Sequence, residues 1–383
     1  MNDAALASAI TSAGLSGAVV LLGNSDGVTF RKAYGQRDVA SGDAMAVDSI
    51  FQIASMTKAI TSVAALQLVE AGTLSLDAPI DDILPDLANP QVIMRFGDDG
   101  APLLRPATRR ITLRHLLTHT SGMGYDFGNA TQAKARGPAG SPPFGSRDGI
   151  RTPLLFDPGD AWEYGVSTDW VGLAVEVASG LRLDAYVEAH ITGPLQMRDS
   201  GFAVSPEKAS RRAGVVARNA VGGTKPYPVE IGGGPDAEIL SGGGGMLSTA
   251  DDYMRFLRMI LNGGTLEGVR ILKPETMALL LSNQVGALAA GKMGSVVPAL
   301  ALPYDPFPGL DCGWSLAFLI NPEASPYGRA AGSLAWAGIA NCHYWIDPAN
   351  DMIGIFLTQL LPFADPQALA AFRAFEVMAY SGH

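Results

Sequence analysis

Residues 55–72, Ser-Met-Thr-Lys-Ala-Ile-Thr-Ser-Val-Ala-Ala-Leu-Gln-Leu-Val-Glu-Ala-Gly, decide the fold. Ile60, Val63, Ala64, Leu66 and Val69 leave almost no polar face, so Met56 to Ala71 reads as a helix buried at the centre of a domain and ended by Gly72. A lysine three residues after a serine shares its side of the helix. Burying an unpaired ammonium costs several kcal/mol, so Lys58 needs a partner or a chemical purpose.

On the N-terminal side, 18–23 (AVVLLG) and 28–35 (VTFRKAYG) are two β-rich runs joined by the turn-forming Asn24-Ser25-Asp26-Gly27, a hairpin signature. Before them, Asn2 or Asp3 caps a short helix that bears Leu6 and Ile10 and ends at Gly14. A strand-like run, 48–54, leads into the buried helix. On the C-terminal side, residues 74–244 change character. Pro- and Gly-rich loops such as 136–149 separate short helices such as 112–120 and 169–180. From 246 onward come an amphipathic helix (248–264), strand-like runs near 312–320, 333–339, 342–346 and 352–359, and a final helix at 366–380. Strands near both chain ends imply one sheet completed by both. The expected fold is α/β (α+β): an antiparallel β-sheet flanked by helices from 1–73 and 245–383, with a largely helical inserted domain at 74–244 and the active site at their interface.

Composition narrows the function. Of 383 residues, 48% are hydrophobic and only 17% charged, which excludes intrinsic disorder. Lys plus Arg is 27 against 37 Asp plus Glu, a net charge of −10, the wrong sign for a general nucleic-acid partner. No apolar run is long enough for a membrane span. Residues 4–25 lack charge, yet no Lys or Arg precedes Arg31, so a secretion signal is not expected and the chain is read as cytoplasmic. The sequon Asn129-Ala130-Thr131 then has no meaning. Cys312 and Cys342 are expected to be reduced core residues, and no metal or organic cofactor is expected.

Several motifs compete for the chemistry. Gly23-Asn24-Ser25-Asp26-Gly27 fits a nucleophile elbow, but a second strand follows where a helix is required, so Ser25 is a turn serine. Gly286 to Met293 nearly spells a phosphate-binding loop, but Met293 replaces the hydroxyl that must hold Mg²⁺. Ser-x-x-K occurs twice. Ser205-Pro206-Glu207-Lys208 reads as a helix cap with proline at the first helical position; Ser55-Met56-Thr57-Lys58 opens the buried helix. Serine needs a base within reach, and Lys58 one turn away makes a histidine triad unnecessary if a second titratable group completes the set. Of the five histidines, His383 is terminal, His190 lies on an amphipathic helix, and His115 and His119 are expected to satisfy loop carbonyls. His343, in the strand 341–347, is kept as a candidate site-lining residue.

Ser55 to Ile80, Leu116 to Met123, Asp157 to Gly180, Gly243 to Gly264 and Trp336 to Pro348, taken in order, resemble the serine β-lactamase and penicillin-recognising superfamily, most closely the family VIII carboxylesterases, which share the class C β-lactamase fold. The resemblance implies that Ser55 is acylated, with Lys58 beside it and Tyr164, opening Tyr164-Gly165-Val166, as the partner in proton transfer. An adjacent ammonium favours a phenolate, which suits Tyr164 as the shuttle, although neutral Lys58 as base remains the reverse assignment. The resemblance also implies an oxyanion hole of two backbone N–H groups, those of Ser55 and Ile339. Trp336, Ala337, Gly338, Val166, Tyr125 and His343 form the expected substrate-binding set. Where β-lactamases carry K-T-G or K-S-G, this chain has Trp336-Ala337-Gly338; where their second motif ends in Asn, it has Val166. Both changes replace polar recognition with apolar surface. They imply a small-molecule partner that is a neutral ester of short to medium acyl chain, with weak β-lactam turnover at most. The alternatives are an acyltransferase using the same acyl-enzyme, a weak β-lactamase or D-amino-acid peptidase, and a non-catalytic binding protein of this fold. Glycines at 232–234 and 242–245 are read either as a mobile rim or as tight turns.

Overall fold

The computed structural model describes residues 3–137, 140–219 and 222–381; Asn2 and His383, weighed above, lie outside them. The central element is a seven-stranded antiparallel sheet. Its strands are β1 (Gly17–Gly23), β2 (Val28–Gly35), β3 (Gly313–Trp314), β4 (Leu319–Ile320), β5 (Leu334–Gly338), β6 (Cys342–Asp347) and β7 (Met352–Leu357). They are ordered β3-β4-β5-β6-β7-β1-β2. Strands from the two ends of the chain therefore pair inside the sheet, as its fifth and sixth members, where Val19 stands opposite Leu357 and the Thr358 hydroxyl donates to the Gly17 carbonyl.

Alternation along β1 explains its unbroken apolar run. Val19 and Leu21 face one layer, with α2 (Thr57–Glu70) and α4 (Ala250–Leu261), while Ala18, Val20 and Leu22 face α1 (Asp3–Ser12) and α5 (Pro366–Tyr380). A strand covered on both faces reads as continuously hydrophobic. The Asn24 side chain accepts from the N–H groups of Asp26 and Gly27, which fixes the first hairpin turn. Ser25 donates its hydroxyl to Asp351, so its role there is structural.

Helix α2 is buried on nearly every side from Thr57 to Leu66 and packs on α3 (Ser167–Ser179), which ends at Gly180 with φ +71°. Gly72 ends α2 in the same left-handed conformation, at φ +73°, one that costs glycine nothing. Two expectations change. The run at 48–54 pairs as a strand over Phe51–Gln52, against Leu247–Ser248, with one further parallel bridge from Ile50 to Arg212, because the chain then turns at once into the helix. The segment 74–244 also carries β structure: Gln91–Phe96 and Pro102–Pro106 form a hairpin around a Gly97–Gly100 turn, and Val216–Arg218 pairs with Thr224–Pro226.

Ser205 stands at the N-terminus of the turn Pro206–Arg211, but its hydroxyl binds the Glu207 carboxylate and not a backbone N–H, so it is not the side-chain cap expected. Asn129 does cap a helix, accepting from Thr131 and Gln132. Cys312 and Cys342 are free and buried. Among the described residues no cluster of side chains could hold a metal ion, and no helix is long and apolar enough to cross a membrane.

Candidate active site

The site begins where the Phe51–Gln52 strand becomes a helix. Ala54 adopts φ +46°, a left-handed conformation that costs an alanine roughly 1–2 kcal/mol and that packed surroundings must hold in place. A single turn at Ala54–Met56 then runs into α2, so Ser55 stands ahead of the intrahelical ladder, where N–H groups lack helical partners. Gly338, at the end of β5, lies against this turn; a Cβ there would sit 2.4 Å from the Ile53 carbonyl. That close approach brings Ile339 and Ser55 to the wall of one cavity of about 790 Å³.

Lys58 is 2% exposed. Its ammonium donates to Ser55 Oγ at 3.2 Å, to Tyr125 OH at 3.1 Å and to the Gly243 carbonyl at 2.7 Å. It also lies 4.7 Å from the Tyr164 ring centroid and 5.4 Å from that of Tyr125, within the range of cation–π attraction. Three acceptors and two ring faces are what make this burial possible. The Tyr164 hydroxyl accepts from the Trp336 indole N–H at 3.0 Å. Burial first, and the nearby Asp169 charge second, push the Tyr125 phenol far above its ordinary range, so Tyr125 is a neutral acceptor for Lys58.

Of the expected set, Ser55, Tyr125, Tyr164, Val166, Trp336, Ala337, Gly338 and Ile339 line the cavity, and Lys58 stands directly behind Ser55. The role of Tyr125 differs from expectation, since its hydroxyl is engaged with Lys58. His343 is a correction. It alternates onto the far face of β6, stacked on Phe372 at 4.4 Å, and it is fully packed away from the cavity. Phe127, Phe144, Leu300 and Phe363 extend the apolar lining.

Three contributions escaped the sequence reading. His119 is fully buried at φ +58°, 4.9 Å from the Tyr164 ring, and its Nδ1 has no hydrogen-bond partner. Burial, then the Lys58 charge, hold it neutral, well below the ordinary histidine range. His115, by contrast, accepts from the Thr112 N–H in a capping box. Gly242 and Gly243 lie in a tight turn, closed by the Gly244 N–H on the Ser241 carbonyl, as one of the two readings had it. Gly242 packs against Thr168 and Gly172 of α3, and Gly243 supplies the Lys58 acceptor. Asp169, in the first turn of α3, accepts from Ser241 Oγ at 2.6 Å and from the Gly243 N–H at 3.0 Å. The available signal was a carboxylate at the start of a helix otherwise apolar from Trp170 to Val175, a position that demands polar partners.

The chain matches the protein family described as Beta-lactamase over residues 2–379. The monacolin J acid methylbutanoyltransferase of Aspergillus terreus is 30% identical over 404 aligned residues, which cover 100% of this chain and 95% of that protein. The lovastatin esterase of Penicillium rubens is 33% identical, over 96% of this chain and 94% of its own. Among solved structures, simvastatin synthase (LovD) from Aspergillus terreus, as the LovD6 mutant, superposes with a TM-score of 0.83 at 30% identity, covering 99% of this chain and 96% of that one.

Proposed function

Since the chain belongs to the β-lactamase family, we propose that it is a serine carboxylesterase whose acyl-enzyme forms on Ser55. The observation that carries this reading is the Lys58 ammonium held 3.2 Å from Ser55 Oγ at the wall of an apolar cavity. In its reactive form the Lys58 and Tyr164 pair carries one proton fewer than ammonium plus phenol, and Ser55 Oγ attacks the ester carbonyl as its proton passes to the deprotonated member. The N–H groups of Ser55 and Ile339 receive the developing oxyanion. Collapse expels the alkoxide, which takes the proton back and leaves as the alcohol. Water then attacks the acyl-enzyme by the same route, releasing the acid and restoring the Ser55 hydroxyl.

Trp336 and Val166 offer no polar group for a drug carboxylate or an amide side chain beyond the indole N–H, which Tyr164 already uses. Neutral esters of short to medium acyl chain are the substrates this favours, and nitrocefin turnover is expected to be slow beside ester turnover. A relative named as a lovastatin esterase supports hydrolysis. Acyl transfer is the second reading. It is favoured by the transferase relative and by a cavity near the upper end of the usual small-molecule range, with room for an acceptor alcohol beside the acyl group. The division into 1–73 with 245–383 and 74–244 fits a site that draws Ser55 from one unit and Tyr164 from the other, and two reduced cysteines fit the cytoplasm.

Treatment with a fluorophosphonate, followed by intact-mass and peptide mapping, tests the proposal. A single adduct on Ser55 is expected; no adduct, or one on Ser25, overturns it. Adding alcohols to the ester assay separates hydrolysis from transfer by the product formed.

A further inference from the structure

Lys58 has no carboxylate within ion-pair distance among the described residues, although its ammonium is almost completely buried. A carboxylate reaches it through the backbone of one residue. Asp169 Oδ1 accepts from the Gly243 N–H, and the Gly243 carbonyl accepts from Lys58 Nζ, the shortest of the three bonds the ammonium makes. Ser241 Oγ donates to the same oxygen of Asp169, and Asp169 is 5% exposed. The fit leaves no slack. A Cβ on Gly243 would lie 2.7 Å from Asp169 Oδ2, so any other side chain there would have to push the carboxylate aside. The remaining groups around the ammonium are the Tyr125 and Tyr164 phenols and the neutral His119, with Asp126 acting on Tyr125 from further out.

We propose that Asp169 is a positioning residue for the chemistry at Ser55: its carboxylate locks Gly243, whose carbonyl aims the Lys58 ammonium at Ser55 Oγ, and its charge balances that of Lys58. The inference rests on the reading of Ser55 as the acylated residue. It also accounts for a buried acid on α3 five residues beyond Tyr164, and for the glycine at 243.

Asp169→Asn separates this role from a packing role, because the amide oxygen can still accept from Ser241 and Gly243 while the charge is gone. Hydrolysis of p-nitrophenyl butyrate is expected to lose roughly tenfold or more in kcat with KM within about twofold. Gly243→Ala gives a second reading by geometry: both charges remain, the contact between Gly243 and the carboxylate is disturbed, and kcat falls with KM again within about twofold. Unchanged kcat in Asp169→Asn overturns the proposal, as does wild-type kcat in Gly243→Ala. Fluorophosphonate labelling of the wild type is run alongside. If Ser55 is labelled and the variants behave as wild type, only the positioning role fails; if Ser55 is unlabelled, the reading of the site fails and this inference falls with it.

Discussion

The indole N–H of Trp336 donates a single hydrogen bond to the hydroxyl of Tyr164, the phenol proposed above to take part in proton transfer. Trp336→Phe keeps most of the buried ring volume and removes the donor. Loss of one neutral hydrogen bond, worth about 0.5–1.5 kcal/mol, is expected to lower kcat roughly 2- to 10-fold. Steady-state kinetics on a p-nitrophenyl ester check it, and an unaltered kcat would mean that packing alone orients Tyr164. At this scale the sequence was readable where a motif ties chemistry to local spacing. Ser55 and Lys58 stand one helical turn apart, and Tyr164 opens a recognisable triplet. His343 was not readable: strand alternation places successive residues on opposite faces, and nothing local says which face holds the cavity. Asp169 and His119 escaped for a related reason, since the partners of each, through hydrogen bonds or a tilted ring contact, lie more than forty residues away in the chain.

Between elements, the closest approach that shapes the site is at Gly165. A Cβ there would lie 2.1 Å from the Met123 carbonyl and 2.7 Å from the Gly124 Cα. The two segments bearing Tyr125 and Tyr164 can therefore run side by side, joined by the Tyr125 N–H bond to the Tyr164 carbonyl. Both obstacles are backbone atoms, so Gly165→Ala must push the segments apart. It is expected to cost about 1–3 kcal/mol of stability and, by splaying the two tyrosines about Lys58, roughly tenfold or more in kcat. Urea unfolding and ester kinetics on the same preparation test this, and a variant with the stability and rate of the wild type would contradict it. Element boundaries were legible in the sequence wherever a cap or a period fixed them: the first hairpin, α2, α4 and α5 all lie close to where the pattern put them. The hairpin at 91–106 was obscured because its exposed strands lack a buried face to impose alternation, Met94, Leu103 and Leu104 all being exposed.

For the molecule as a whole, buried histidines govern how stability varies with pH. Burial, aided by Arg329 and Arg373, pushes His343 down to about 3, and His119 is also held well below its ordinary value. The unfolded chain binds protons on these side chains below about pH 6.5 while the native chain does not, so stability falls with pH from there by about 1.4 kcal/mol per unit for each. Asp157, depressed by Arg105, has the opposite reference point. Its contribution is complete above about pH 4 and is lost only in stronger acid, so it leaves this window untouched. His343→Phe, which keeps a ring against Phe372, is expected to make the mean slope of unfolding free energy between pH 6.5 and 5 shallower by about 1 kcal/mol per unit. Equal slopes in variant and wild type would show that His343 is protonated in the native state. The union of both chain ends in one sheet was legible at this scale, since the runs whose pattern reads as strands lie toward the two ends. It has a consequence for how the protein is made. The Thr358 hydroxyl and the Gly17 carbonyl that it meets are 341 residues apart. At the usual pace of translation that is a delay of roughly 20–70 s. For that time β1 leaves the ribosome without its β7 neighbour, as an apolar strand with one open edge, which makes this enzyme a natural client for a chaperone that shields nascent chains.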